Sequence, residues 1–332
     1  MNGTNLLNNK IKITAFPRIH MTLIGMNNDG YRINGGIGFS ISEPRIFFSV
    51  KPSDSFSLKD LRGAGFTSSE INRLKNKIDN IRSEFKLKYS VQCEINGESP
   101  THFGFGSSTV TYLACIEALF ILNDYPYDNE FLVRVSSRGG TSGIGINTYF
   151  KGGFVFDIGI PNKNNNSIAP SSISTQRANL PLVLNHIKLP NWKVGLVLPS
   201  QIQSKSELEE IEFFKRTCPI DKEAVSAILY ESLYGVFSGI YENDFSVFCD
   251  AVKTIQGTQW KKEERGLYGK AIDILEEHIY NSGVKCVGMS SLGPGLYFLS
   301  EDIEKAYSRL NLDEYNILES EFNNKPRIIE YE

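Results

Sequence analysis

The run from Leu87 to Leu122 constrains this fold more than any other stretch of the chain. LKYSVQCEI alternates apolar and polar residues as a half-buried strand does, and Ser107 to Leu122 reads as a buried helix. Between them lies HFGFGSST, residues His102 to Thr109, with two glycines and three hydroxyls at the mouth of the helix. The first turn of a helix leaves its amide N–H groups unpaired and carries the positive end of the dipole, so a strand, glycine turn and helix in this order suit an anion. An ordinary strand-to-helix turn capped by Ser107 is the alternative, and this motif alone leaves both open.

The rest of the chain supplies the frame. Short strand-like pieces, IKITAFPRIH, GIGFSI and RIFFSV, surround the turn-rich NNDGYRINGG. Ile71, Leu74, Ile78, Ile81 and Phe85 mark one apolar helix face, with Ser69 available as its N-cap. A short helix is expected around Phe131 to Val135, then the loop SRGGTSGIG and the strand GGFVFDIG. The stretch PNKNNNSIAPSSISTQR is polar enough to read as an exposed loop closing a first domain. From Trp192 onward the pattern is KVGLVLP as a strand, helices over 207–215, 222–241, 245–255 and 266–280, a strand around 284–289, the turn SSLGPG, the strand LYFLS and a helix from Asp302. With 332 residues and 41% apolar side chains, two domains are expected, 1–190 and 191–332, in an α+β class.

A formal net charge of −3 gives no basic blanket for nucleic acid, and no apolar run reaches membrane-spanning length. The five cysteines, Cys93, Cys115, Cys218, Cys249 and Cys286, have no metal-clip or redox spacing, so buried thiols in a cytoplasmic protein are expected. His20, His102, His186 and His278 are too far apart for a zinc motif, and no Ser-His-Asp order appears.

Two further glycine segments sharpen the expectation of phosphate chemistry. In SSRGGTSGIGIN, Ser136 to Asn147, four glycines surround Arg138, and so much backbone freedom favours a second clamp through Gly139, Gly140, Thr141 and Ser142 over a linker. SSLGPG, Ser290 to Gly295, is by itself a common turn; Ser290, Ser291 and Gly293 become candidates only beside the other two loops. PRIH places Arg18 and His20 on one face of a strand, as an anion fork and a donor, or else as a surface ion pair and a structural histidine. Asp157, inside the apolar GGFVFDIG, needs a partner or a cation, whereas Glu43, Asp54, Glu242 and Asp244 read as solvated.

The three glycine loops in this order resemble the GHMP kinase superfamily, and within it the β-ribofuranosylaminobenzene 5′-phosphate synthases. PRIHMTLIGMNNDGYRINGGIGF, HFGFGSST, SRGGTSGIGIN, GGFVFDIG, EFFKRTCPID, IYENDFSVFCDAVKTIQ and GMSSLGPGLYF are similar to family segments in the same order, from about Arg18 to Phe298. Asn34, Ser108 and Val110 depart from that pattern. The resemblance implies a β-rich first domain, a ferredoxin-like second domain, and a homodimer. It implies transfer of ribose 5-phosphate from phosphoribosyl pyrophosphate (PRPP) to an aromatic or heteroaromatic carboxylate, with loss of pyrophosphate and CO2, in methanopterin-type cofactor or C-nucleoside synthesis. Mg²⁺, bridged mainly by the pyrophosphate, is the implied cofactor. On this reading Gly104, Gly106, Ser107, Ser108, Thr109, Arg138 and the 139–142 clamp hold the phosphates, and Arg18 and His20 orient the acceptor or the 5′-phosphate. Asp157 holds ribose hydroxyls, Mg²⁺ or the charge at C1. A GHMP-type ATP-dependent kinase is the alternative activity, and a non-catalytic ligand binder the third.

Overall fold

The alternating segments pair into three sheets in the computed structural model, which describes residues 10–162, 168–170, 180–310 and 315–332. The first half contributes β1 (Ile11–Ala15), β2 (Arg18–Gly25), β3 (Arg32–Ser40), β4 (Ile46–Ser53), β5 (Ser57–Asp60), α1 (Ser68–Glu84), β6 (Ser90–Gly97), α2 (Ser107–Ile121), α3 (Asn129–Ser136), α4 (Gly143–Lys151), β7 (Phe154–Asp157), β8 (Ile160–Pro161) and β9 (Val183–Ile187). The second contributes β10 (Lys193–Leu198), α5 (Glu207–Thr217), α6 (Lys222–Tyr230), α7 (Ser238–Glu242), α8 (Phe245–Gln256), α9 (Gln259–Gly266), α10 (Lys270–Asn281), β11 (Cys286–Met289), β12 (Leu296–Leu299), α11 (Ile303–Arg309), β13 (Asn316–Glu321) and β14 (Ile328–Tyr331). The class is α+β, as expected.

One sheet runs β14-β1-β4-β6-β5, a second β2-β3-β7-β9 with β8 beside β3, and a third β11-β12-β10-β13. Helices α1, α2 and α3 bury Leu74, Ile78, Leu113, Ile116, Leu119 and Leu132 against the first sheet in one apolar cluster. Each fully buried side chain of this kind is worth about 1.5–3 kcal/mol. The second sheet shares its cluster with the other half of the chain: Ile19, Met21, Phe39 and Phe156 belong with Phe213, Phe248 and Trp260.

The expected boundary between residues 190 and 191 is therefore crossed twice. That cluster joins the two halves, and β14 returns to pair antiparallel with β1, Ile11 opposite Tyr331. Three local expectations change. The α1 N-cap is Thr67, because Glu70 completes a capping box with it. The helix expected over 266–280 starts at Lys270, because Gly269 at φ +58 breaks the chain there. Part of the loop expected from Ser136 is helical, and Gly143 lets the start of α4 lie against Asp157, where a Cβ would clash with the carboxylate. Most of PNKNNNSIAPSSISTQR lies outside the described residues.

Candidate functional site

Helix α2 opens into a cleft between the two halves of the chain. Its N-cap is Gly106 in the left-handed region at φ +82, with no side-chain cap, so the first-turn amides keep their free donors for something in the cleft. Gly106, Ser107, Ser108 and Thr109 all line the cleft, with Arg18, His20 and Arg138. Thr141 and Ser142 reach it from the next loop, and the Thr109 and Ser142 hydroxyls lie 3.4 Å apart. Gly139 and Gly140 are not among its lining residues; they carry the chain through a single 3-10 turn that sets Thr141 and Ser142 in place.

The charges here divide into paired and unpaired groups. Glu70 accepts from His102 at 2.9 Å; burial pushes its carboxyl up, but hydrogen bonds from His102 and Thr67 outweigh that and hold it at about 2. His102 is raised in turn, chiefly by that hydrogen bond. Glu207 pairs with Arg73, and the wholly buried Glu264 pairs with Lys261. Arg18 and Arg138 are both less than a tenth exposed and have no ion-pair partner among the described residues. Burial lowers both, Arg18 to about 10, so at neutral pH each remains a cation. Arg138 stacks 4.2 Å above the ring of Tyr112, while Arg18 donates to the Gly104 carbonyl and leaves its Nε unsatisfied. A buried cation without a counter-charge is expensive, and an incoming anion removes that cost.

The loop 290–295 has a different part. Ser290 is buried, and its hydroxyl donates to the Gly104 carbonyl at 2.7 Å while accepting from the His20 amide at 3.1 Å. The Ser291 amide donates to the His20 carbonyl at 2.8 Å, the Gly295 amide to the Phe103 carbonyl at 3.2 Å, and the Tyr268 hydroxyl to the Leu292 and Gly293 carbonyls. Gly104 sits at φ +89, where an added Cβ would be 1.9 Å from the Ser290 carbonyl oxygen. The two glycine loops are locked together, and Ser290 spends its hydrogen-bonding capacity on that lock. Ser291 and Gly293 do line the cleft.

His20 occupies the floor, 3% exposed, with Leu23, Phe214 and Leu292 as apolar neighbours along the lining. Neither ring nitrogen has a hydrogen-bond partner among the described residues. Burial, then Arg18 and then Lys261, push its imidazole well below the usual range, so it is neutral at pH 7.

Asp157 is not brought into the cleft. It ends β7, accepts from the Gly159 amide at 2.7 Å, and lies so close behind Gly143 that a Cβ there would be 1.7 Å from its Oδ2. Burial raises its carboxyl to about 7. The strand pattern that marked Asp157 as buried also turns it away from the lining, under the start of α4.

Several lining groups escape a reading of the sequence. Tyr112 carries a recoverable signal, since it follows Ser108 by one helical turn and so shares its face. Glu210, on α5, carries none. Its carboxylate reaches the cleft without a hydrogen bond among the described residues, and burial raises it to about 7 against the pull of His102 and Arg138.

No protein-family model matches the chain. A protein of Archaeoglobus fulgidus named beta-ribofuranosylphenol 5′-phosphate synthase is 31% identical over 295 residues, 88% of each chain. Proteins of the same name from Methanothermobacter thermautotrophicus and Methanocaldococcus jannaschii are 29% and 28% identical, each over 87% of this chain and 88% and 90% of their own. Among solved structures, a putative sugar kinase from Campylobacter jejuni superposes with a TM-score of 0.70 at 13% identity, over 99% of this chain and all of its own. The mevalonate kinase of L. major gives 0.67 at 12% identity, over 95% of this chain and 96% of its own. A mevalonate diphosphate decarboxylase from Staphylococcus aureus gives 0.64 at 15%, over 97% and 98%. The fold is that of the GHMP kinases.

Proposed function

This chain belongs to the family of the beta-ribofuranosylphenol 5′-phosphate synthases, and from that premise we propose that it is a PRPP-dependent, decarboxylating C-ribosyltransferase. It joins C1 of ribose 5-phosphate to the carboxylate-bearing carbon of an aromatic acid and releases pyrophosphate and CO2. The relatives' name puts a phenol in the product, which favours a hydroxybenzoate over an aminobenzoate or a heteroaromatic acid as acceptor. On that reading the protein serves methanopterin-type cofactor synthesis.

The observation that carries the reading is the pair Arg18 and Arg138, buried, cationic and unpaired beside the open amide end of α2. PRPP brings a 5′-phosphate and a pyrophosphate, and its leaving group gains charge as the bond at C1 breaks. Fixed donors aimed at that growing charge favour the transition state over the ground state. The Gly106–Thr109 turn and Arg138 bind the leaving pyrophosphate; Arg18 holds a second anionic group, the 5′-phosphate or the acceptor carboxylate. Leu23, Phe214 and Leu292, which share one apolar cluster, also line the cleft and offer the aromatic ring an apolar surface. No strong base is needed at the carbon attacked, since rearomatisation expels CO2 and not a proton.

Mg²⁺ fits this donor set as a substrate-bridged ion. The described residues hold no cluster of three or more His, Cys, Asp or Glu arranged for a cation, and Mg²⁺ commonly takes one or two carboxylates plus phosphate oxygens and water. Glu210 is the carboxylate placed to contribute, because Glu70, Glu207 and Glu264 are engaged by His102, Arg73 and Lys261. When bound, the ion would neutralise part of the pyrophosphate charge.

The test is to incubate the protein with PRPP, Mg²⁺ and a panel of aromatic and heteroaromatic carboxylates, with ATP in parallel. Pyrophosphate and CO2 released together with one acceptor support the reading. ADP alone would replace it with a small-molecule kinase.

A further inference from the structure

A buried imidazole whose two nitrogens are met by no group of the described chain keeps its hydrogen-bonding capacity for a ligand in the cleft. Buried polar groups are otherwise almost always satisfied, and an unmet one costs about 1–3 kcal/mol. His20 is such a group, and its main chain is pinned on both sides: its amide donates to the Ser290 hydroxyl and its carbonyl accepts from the Ser291 amide. The backbone at His20 is therefore fixed with its ring lining the cleft, where the two arginines and the glycine turn offer the donors for anionic groups. The other histidine of the cleft, His102, is engaged by Glu70.

We propose that His20 is the general base that takes the proton from the ring hydroxyl of the aromatic acceptor. This deepens the ribosyl-transfer reading and rests on it. The chemistry balances without a further reactant. Loss of the hydroxyl proton to His20 sends an electron pair through the ring to the para carbon that bears the carboxylate. That carbon forms the bond to C1 of the ribose as the C1–pyrophosphate bond breaks. The carboxylate then leaves as CO2, its bonding pair restoring the aromatic ring as a phenolate, and the imidazolium returns the proton to the phenolate oxygen. The imidazole starts neutral because burial, Arg18 and Lys261 disfavour its protonated form, and for the same reason the proton moves only as the bond to C1 forms and goes back once the phenolate appears. His20 thus distinguishes a hydroxyl-bearing ring, which has a proton to give, from an amino-bearing ring, whose lone pair drives attack without proton loss.

The experiment measures ribosyl transfer by wild type and His20→Gln, with 4-hydroxybenzoate and 4-aminobenzoate as acceptors, from pH 5 to 10. The variant is expected to lose about 100- to 10,000-fold with 4-hydroxybenzoate near neutrality, the range of general base catalysis. Its residual rate should then climb about tenfold per pH unit as the hydroxyl ionises unaided, and its rate with 4-aminobenzoate should fall by less than about tenfold. An unchanged rate with 4-hydroxybenzoate, or a loss without recovery at high pH, overturns the assignment of His20. Wild type alone gives a check independent of the variant's folding. It should use 4-hydroxybenzoate at least about 100-fold faster than 4-methoxybenzoate, which has no proton to give, and equal rates would overturn the proposal. Failure of wild type to release pyrophosphate with any acceptor would instead remove the ribosyl-transfer reading beneath it.

Discussion

Two glycine loops that look alike in the sequence have opposite parts in the structure. HFGFGSST ends in a left-handed Gly106 and leaves the first amides of α2 facing the cleft, whereas SSLGPG directs Ser290, Ser291 and Gly295 to the His20 strand and to the other loop. One loop is open and the other is a brace. The difference follows from what comes next in the chain. A helix cannot satisfy its own first-turn amides, but a turn between two antiparallel strands closes on itself, as Ser290 does through its amide to the Gly295 carbonyl. Glycine content alone reports tight backbone approach, not the presence of a ligand.

The contrast can be broken most severely at the contact between the loops. Gly104→Ala forces a Cβ onto the Ser290 carbonyl and strains a positive φ. A loss of more than about 100-fold in transfer rate is expected, with about 2–4 kcal/mol lost in denaturant unfolding. Removing a cation from the open side should separate binding from stability. Arg138→Ala should raise the KM for PRPP about 10- to 100-fold while the melting temperature moves only by the lost contact with Tyr112, worth about 1 kcal/mol. A brace residue should behave in the reverse way. Ser290→Ala leaves the His20 amide without its acceptor and removes a donor to Gly104, so about 1–3 kcal/mol of stability should be lost with a PRPP KM changed less than about threefold. If Ser290→Ala instead raises the KM as Arg138→Ala does, the brace touches substrate and the contrast falls.

The smallest effect concerns Asp157, placed by the fold behind Gly143. Its folded carboxyl, at about 7, lies above its unfolded value, so the folded state binds the proton more tightly. Stability from this group is complete below the unfolded pKa of about 4 and is lost as pH rises to about 7. Asp157→Asn should therefore gain stability relative to wild type across that window, measured by chemical denaturation at pH 4 and pH 7.5. Little change in transfer rate is expected beside it. A loss of activity comparable to that of Arg138→Ala would return Asp157 to the chemistry.

Much of this was legible in the chain. Arg18 and His20 share a strand face because side chains alternate, and the helix beginning after HFGFG followed from the sequence pattern. What stayed hidden is what tertiary closure creates. The motif QWKKEERG looks like a solvated face, yet Lys261 and Glu264 are almost wholly buried and Lys261 donates to the Met289 carbonyl at 2.7 Å, at the entry to the brace. The acidic start of α5 looks like ordinary helix capping, and the Ser206–Glu209 box is just that, but the same turn places Glu207 and Glu210 in the cleft. Nor does a buried carboxylate announce which way it faces: Asp157 was legible as buried, but not that Gly143 rather than the cleft would lie against it.

The most direct test of the account follows each atom the reaction should release. With PRPP, Mg²⁺ and 4-hydroxybenzoate labelled with ¹³C in the carboxyl group, labelled CO2 and pyrophosphate should appear in equal amounts, with an unlabelled C-riboside as the third product. Retention of the label in the ribosylated product, or pyrophosphate formed without CO2, would contradict decarboxylating C-ribosyl transfer.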